Sequence, residues 1–431
     1  MKKTILLVFS LLAVFGASCT NQDDLNDNSS FIHSDKCYPI RSYDEALQAA
    51  KSAIPMLNGS NKTRSSIDRV IDLDATRYCI VSPSTRSIDS NINDTLLYVF
   101  NFSDNKGFAI ISASKRTQPI LAITESGNYD FSKPSGIESF DTFMDLAKEY
   151  VIRSYSRDPE PVDTTEVETY EEYDYKYNNV GPYIDVQWGQ THPEGEFCPN
   201  GISGCSITAI AQIMSYYEYP SIIDLTYPNA DRIAQLLDWN NMRNHSTGHT
   251  VSECASSQIN AHKSIGRLCR QLGFLANSTY GNEATGTNES GISTCLQQIG
   301  YRTEGWRAYN ADSVKYKLDC SHPLLVGGFG FYQNDIVGHS WIIDGYNSIE
   351  YTIYCYSQRS DGSPRILLFT YGPVTEELLF HINWGWYGTN NGYFASNVFN
   401  TSLVQSPDTP NNDVNINFNI NIVTLDAYPS H

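Results

Sequence analysis

The sequence predicts an α+β protein: a small α+β unit followed by a larger one whose helices precede an antiparallel sheet. Three observations carry that prediction. Between about residues 35 and 155, a helix start, paired β-rich runs and a helical periodicity follow one another. From about 180 onward the helical periodicities come first and the strand-like runs later, the order expected of helices packed on an antiparallel sheet. Between the two, residues 158–179 hold eight acids (Asp158, Glu160, Asp163, Glu166, Glu168, Glu171, Glu172, Asp174) against the single base Lys176. Such a run repels itself and has little to bury, so it reads as a solvated linker open to proteolysis.

The chain has 431 residues, enough for about two to three domains. It carries 29 basic and 48 acidic residues, a formal net charge of −19, which argues against a nucleic-acid partner. Lys2 and Lys3 precede an apolar run from Ile5 to Phe15, then Gly16, Ala17, Ser18 and Cys19. A basic start, a short apolar core and small residues read as a secretory signal over 1–18. The setting of Cys19 resembles the lipobox of bacterial lipoproteins, with Gly16 where Leu is usual. The other reading is an ordinary signal peptide with an incidental cysteine. Residues 19–34 are then a polar tether. Either reading exports the protein, anchored at the outer membrane or cell surface by a lipid on Cys19 or secreted after cleavage.

In the first unit, 35–157, Ser42 and Glu45 form a capping-box pattern ahead of Ala46, Leu47, Ala49 and Ala50. Leu96–Phe102 and Phe108–Ser112 flank Asp104-Asn105-Lys106-Gly107 and predict a hairpin. Phe140, Phe143, Met144, Ala147, Tyr150 and Val151 recur at helical spacing. No catalytic constellation is visible there. In the second unit, 180–431, helices are predicted over about 206–217, 255–272 and 289–299. Strands are predicted over 323–329, 340–346, 365–370, 378–383 and 392–395.

The chemistry-bearing segment is Gly201-Ile-Ser-Gly-Cys205-Ser-Ile-Thr-Ala-Ile-Ala-Gln-Ile-Met-Ser-Tyr-Tyr217. Its apolar spacing puts Cys205 at the N-terminus of a buried helix, where the helix dipole and free N–H groups favour a thiolate. A thiolate is the nucleophile acyl transfer needs, provided an imidazole shares its proton. His339, after Gly338 and at the head of an apolar strand, is the candidate. His381 lies inside a strand, where a structural role is expected. His245 and His249 are four apart without an intervening Glu, so there is no HExxH metal helix, and neither metal nor cofactor is expected. Gln190 precedes the cysteine, and Asn383 and Trp384 follow the histidine.

Together these segments resemble the streptopain family of papain-like cysteine peptidases, zymogens with an N-terminal inhibitory prodomain. The resemblance rests on Trp188–Gln190, Ser203–Tyr216, Gly338–Gly345 and His381–Gly388. Secondary matches lie at Ile265–Tyr280, Gly291–Tyr301, Leu97–Phe102, Gly107–Arg116 and Pro119–Tyr129. It implies a papain-like domain in which Cys205 is the nucleophile and His339 its base. Gln190 and the Cys205 N–H would form the oxyanion hole, Asn383 would orient the imidazole, and Trp384 would shield that contact. The implied partners are protein or peptide substrates, the chain's own prodomain as inhibitor, and an activating protease.

Several positions depart from the family pattern. Ser206, Thr208 and Ser340-Trp341 replace commoner residues, and Ser348–Glu377 is long enough to suggest an extended loop. Cys198, Cys254, Cys269, Cys295, Cys320 and Cys355 leave disulfides open, with no pairing deducible. Gly327, Gly328 and Phe329 lie close enough to His339 in sequence to line a subsite. Two rival readings remain: a catalytically inactive surface-binding lipoprotein on the same fold, and acyl transfer to an amine. The intact Gln190, Cys205, His339, Asn383 and Trp384 weigh against the first; the prodomain and the Asn-Trp segment weigh against the second.

Overall fold

A computed structural model describes residues 40–58, 68–80, 95–156, 169–226, 232–332, 335–357, 366–399 and 422–430. Cys19 and the expected leader and tether, residues 1–34, lie outside the described residues. The first unit contains α1 (Tyr43–Ala53), β1 (Arg77–Ile80), β2 (Thr95–Asn101), β3 (Phe108–Ser112), β4 (Ile120–Thr124) and α2 (Glu138–Ser156). The capping box forms as predicted: Glu45 N–H donates to Ser42 Oγ and Ser42 N–H to Glu45 Oε2, satisfying donors that the first helical turn leaves open. β2 and β3 are the predicted hairpin, in register from Leu97 opposite Ser112 to Asn101 opposite Phe108.

β5 (Thr169–Val180) opens the second part, and α3 (Cys205–Tyr217) follows it. Next come β6 (Ile222–Thr226), β7 (Arg232–Leu236), α4 (Trp239–Arg243) and α5 (Ile259–Leu275). After these stand β8 (Thr279–Tyr280), β9 (Thr285–Gly286), α6 (Glu289–Gln298), β10 (Tyr301–Thr303), β11 (Arg307–Ala308) and α7 (Ala311–Asp319). Apart from β5, β10 and β11, the second part's strands of the large sheet close the chain: β12 (Leu324–Tyr332), β13 (Asp335–Ser357), β14 (Ile366–Asn383), β15 (Gly392–Ala395) and β16 (Val423–Pro429). Helices first and antiparallel strands later is the α+β order that the sequence predicts.

Two expectations need correction. Residues 169–179, the second half of the acidic segment, are not a solvated linker: β5 pairs antiparallel with β13, from Thr169 opposite Ser357 to Val180 opposite Tyr346. The segment carries four tyrosines, and their strand propensity together with the backbone ladder to β13 outweighs charge repulsion. Residues 158–168 lie outside the described residues. Much of Ser348–Glu377 is likewise strand, because β13 and β14 continue past the core as one long antiparallel pair.

The two sequence units share one sheet. β4 pairs with β15, Thr124 opposite Gly392 and Ala122 opposite Phe394, so the path β1-β2-β3-β4-β15-β14-β13-β12-β16-β10 runs without a break. One apolar cluster joins Phe108, Phe140 and Phe143 of the first unit to Trp341, Phe380, Trp384 and Phe394 of the second. A second cluster packs α3 and α5 on the other face, through Ile207, Ile210, Met214, Ile265, Leu268 and Ile342. Burying a side chain of this size contributes about 1.5–3 kcal/mol, so the shared cluster holds the units together firmly.

Candidate active site

α3 begins at Cys205 because Gly204 precedes it at φ +91°, a conformation L side chains avoid, and a Cβ there would meet Thr285 O at 2.7 Å. The helix is buried along most of its length, which fixes its N-terminus against β13. Cys205 is half-buried at that end. Its Sγ accepts a hydrogen bond from Ser340 N at 3.4 Å and another from the His339 side chain. Burial pushes the thiol up. The charge and hydrogen bond of His339, the Ser340 N–H and Ser206 outweigh it and bring the pKa down from 9.0 to about 7. Ser206 and Ser340, both departures from the family pattern, bond to each other through their hydroxyls at 2.9 Å beside the thiol.

The histidine is oriented differently from expectation. His339 Nε2 lies 3.2 Å from the carbonyl oxygen of Trp384, so that nitrogen carries a proton and Nδ1 is left for the thiol. Asn383 does not hold the imidazole. Its Nδ2 donates to Val186 O at 3.1 Å and Gln212 Oε1 at 2.9 Å, and its Oδ1 accepts from Gly385 N at 3.1 Å. The reason is register: Asn383 ends β14 opposite Ile342, and its side chain turns to the buried amide of α3. The ring beside His339 is Trp341, at 6.3 Å and 14° to it; Trp384 packs behind Trp341 at 5.5 Å. Trp384 thus contributes its carbonyl to the histidine and its ring to the layer beneath.

Gln190 is buried, and its carboxamide has no hydrogen-bond partner among the described residues. Its carbonyl accepts from Ser203 N at 2.9 Å and Ser203 Oγ at 3.2 Å, which ties it two residues before the nucleophile. The loop around it is braced by two residues that the sequence reading missed. Tyr387 Oη accepts from Thr191 N at 2.8 Å and His192 N at 3.0 Å, and its ring lies where a Cβ on Gly189 would stand, 2.2 Å away. Glu194 is fully buried and accepts from Gly189 N at 3.2 Å; burial raises its carboxyl to about 8, against the pull of the N–H groups of Glu194 and Gly189 and of Tyr387. Glu-x-x-x after a Gln-Thr-His-Pro turn has no periodic signature, so only the packing identifies it.

Gly327 and Gly328 pair with Ser340 and His339 across β12 and β13, beside the expected site. His381 is structural, as expected. Burial lowers its pKa, but the charge and hydrogen bond of Asp344 and the nearby Glu125 carboxylate raise it to about 9. Asp344 is 2.6 Å from Nδ1, and Glu125, from the first unit, is 3.7 Å from Nε2. Cys198, Cys205, Cys254, Cys269, Cys295 and Cys320 are free thiols. The segment between His245 and His249 is a loop, not a helix, and it brings both beside Cys254 and His262.

A thiol at a helix N-terminus, lowered by a neighbouring imidazole, is the arrangement of a cysteine nucleophile. Residues 172–394, just over half of the chain, match the Peptidase C10 family, and residues 38–151 match the Spi protease inhibitor family. The chain belongs to the Peptidase C10 family and is a cysteine peptidase carrying an inhibitor-like N-terminal unit. It is 23% identical over 349 residues to streptopain of Streptococcus pyogenes, covering 74% of this chain and 78% of that protein. It is 21% identical over 399 residues to the thiol protease/hemagglutinin PrtT of Porphyromonas gingivalis, covering 80% of this chain but 40% of that protein. Prointerpain A of Prevotella intermedia aligns over 82% of this chain and 98% of its own, at 21% identity and a TM-score of 0.49.

Proposed function

We propose that this chain is the zymogen of an exported cysteine endopeptidase that hydrolyses internal peptide bonds of proteins. The observation that carries the reading is the Cys205 thiol, held at about 7 between His339 and the Ser340 N–H. The thiolate attacks the scissile carbonyl while His339 holds the proton. The tetrahedral oxyanion is met by the Gln190 carboxamide and by helix N-terminal N–H groups that α3 leaves open. His339 then protonates the leaving amine, and a water deprotonated by His339 hydrolyses the thioacyl-enzyme.

The first unit acts as inhibitor. Its support is the β4–β15 pairing and the seat of Phe140 on Trp384, 6.4 Å between rings, whose carbonyl holds His339. An activating protease cuts between the units, within or near 158–168. Cys19 is the lipid attachment point that places the zymogen at the outer membrane or cell surface, and loss of acyl labelling in Cys19→Ala cells checks it. The main test follows peptide hydrolysis and vinyl-sulfone labelling of full-length protein before and after limited proteolysis, with Cys205→Ala alongside. Activity should appear on cutting and only with Cys205. A cut, folded wild type without either signal would support the inactive binding protein, and equal activity before cutting would remove the inhibitory role.

A further inference from the structure

Away from Cys205 and His339, four side chains with metal-binding atoms converge. His245 follows α4, His249 lies in the next loop, Cys254 ends a turn capped by Thr250 and Glu253, and His262 lies near the start of α5. His262 Nδ1 is 3.1 Å from His245 Nε2 and 3.1 Å from Cys254 Sγ, which is 3.3 Å from His249 Nε2. All four atoms fall within 4.8 Å of one another. Around a tetrahedral zinc ion, with nitrogen at about 2.0–2.1 Å and sulfur at about 2.3 Å, neighbouring donors stand roughly 3.3–3.6 Å apart. Three of the six donor separations are therefore already close to an edge of such a tetrahedron, and small side-chain shifts bring in the rest.

The outer hydrogen bonds say which nitrogens are bare. His262 Nε2 is 2.5 Å from Glu196 Oε2, a carboxylate that only accepts, so this nitrogen holds the ring proton and Nδ1 faces inward as a lone pair. His245 Nδ1 donates to Gln258 Oε1 at 2.6 Å and His249 Nδ1 to Thr247 O at 3.4 Å, turning each Nε2 inward in the same way. Three imidazole lone pairs thus face one another with a single thiol proton among them, an arrangement that repels itself unless a cation sits inside. A carboxylate, an amide and a carbonyl on the outer nitrogens are the partners that orient histidine ligands of a metal.

We propose that His245, His249, Cys254 and His262 bind one Zn²⁺ through Nε2, Nε2, Sγ and Nδ1. Four protein donors close the coordination sphere, so the ion is structural and not catalytic. The Cys254 thiol gives its proton to solvent on binding, and Glu196 offsets the remaining positive charge. A surface pocket bounded by Ser246, His249, Glu253 and Gln258 offers an entry path. The ion staples the loop 244–254 to α5 and, through Glu196, to the loop that carries Gln190. Two further bonds continue that bracing: Gly248 N–H to His192 O at 2.8 Å and Thr247 Oγ1 to Gln187 O at 3.1 Å.

The test uses tag-free full-length Cys205→Ala protein, stripped by chelator and titrated with Zn²⁺ or Co²⁺. We expect one zinc per chain by elemental analysis and a higher Tm with zinc than without. Cobalt should give the intense visible bands of a tetrahedral site with a thiolate-to-cobalt charge-transfer band, and Cys254→Ser should remove only the latter. Glu196→Gln keeps all four ligands and should weaken zinc by about 10–100-fold. Far-UV circular dichroism verifies the fold of each variant. A folded parent that takes up no stoichiometric zinc at micromolar free ion, or a cobalt spectrum unchanged by Cys254→Ser, overturns the proposal and leaves a hydrogen-bonded cluster.

Discussion

Cys205 and Cys254 each lie against histidine in the same half of the molecule, and their surroundings send them to opposite chemistry. Cys205 meets one imidazole, a backbone N–H and a helix N-terminus, and its thiol falls to about 7. Cys254 meets two imidazoles, yet burial and then the carboxylates of Glu196 and Glu253 hold its thiol above the ordinary value. The difference lies in what stands behind the rings. Behind His339 is a carbonyl that leaves Nδ1 free to exchange a proton with the thiol; behind His262 is a carboxylate that locks a bare nitrogen inward. One arrangement moves a proton, and the other waits for a cation.

The comparison breaks most decisively at the nucleophile. Cys205→Ala or His339→Ala should lower turnover of the activated enzyme by several orders of magnitude, since the pair acts as a unit. Fast labelling by a thiol reagent at neutral pH should vanish with Cys205→Ala, and a second fast-reacting cysteine would erase the distinction between the two thiols. Gln190→Ala comes next, with kcat falling about 10²–10³-fold and thiol labelling preserved; an unchanged kcat removes it from the oxyanion hole.

The pH profile sharpens the contrast further. Labelling of Cys205 should rise with pH through about 7, the thiolate forming above that value. In His339→Ala the midpoint should move upward, because burial still opposes the charge and the imidazole no longer offsets it. A midpoint that stays in place means that the helix terminus, not His339, lowers the thiol. The smallest effect belongs to Asn383. Asn383→Ala leaves Gly385 N without its acceptor and takes one of two donors from Gln212 Oε1, which keeps Trp188 N, and should cost about 1–3 kcal/mol of stability by denaturant unfolding, with a smaller loss of activity than His339→Ala. A stable Asn383→Ala protein as inactive as His339→Ala would restore a direct role on the imidazole.

The α+β class, the hairpin, α2, α3, α6 and the Cys205 and His339 positions were legible in the residues, because each depends on local periodicity, capping and turn chemistry. Those signals act over a few residues and survive in a linear string. The acidic run misled for the same reason. Its charges are local, while the partner that makes residues 169–180 a strand, β13, stands about 180 positions away. Only the folded chain decided that the first unit's sheet continues into the second through β4 and β15. Only the fold decided that the Trp384 carbonyl, not the Asn383 amide, holds His339, and that Glu194 and Tyr387 brace the Gln190 loop. It also gathered His245, His249, Cys254 and His262, whose spacing fits no helical motif, because a loop and a helix can aim four side chains at one point that no sequence interval encodes.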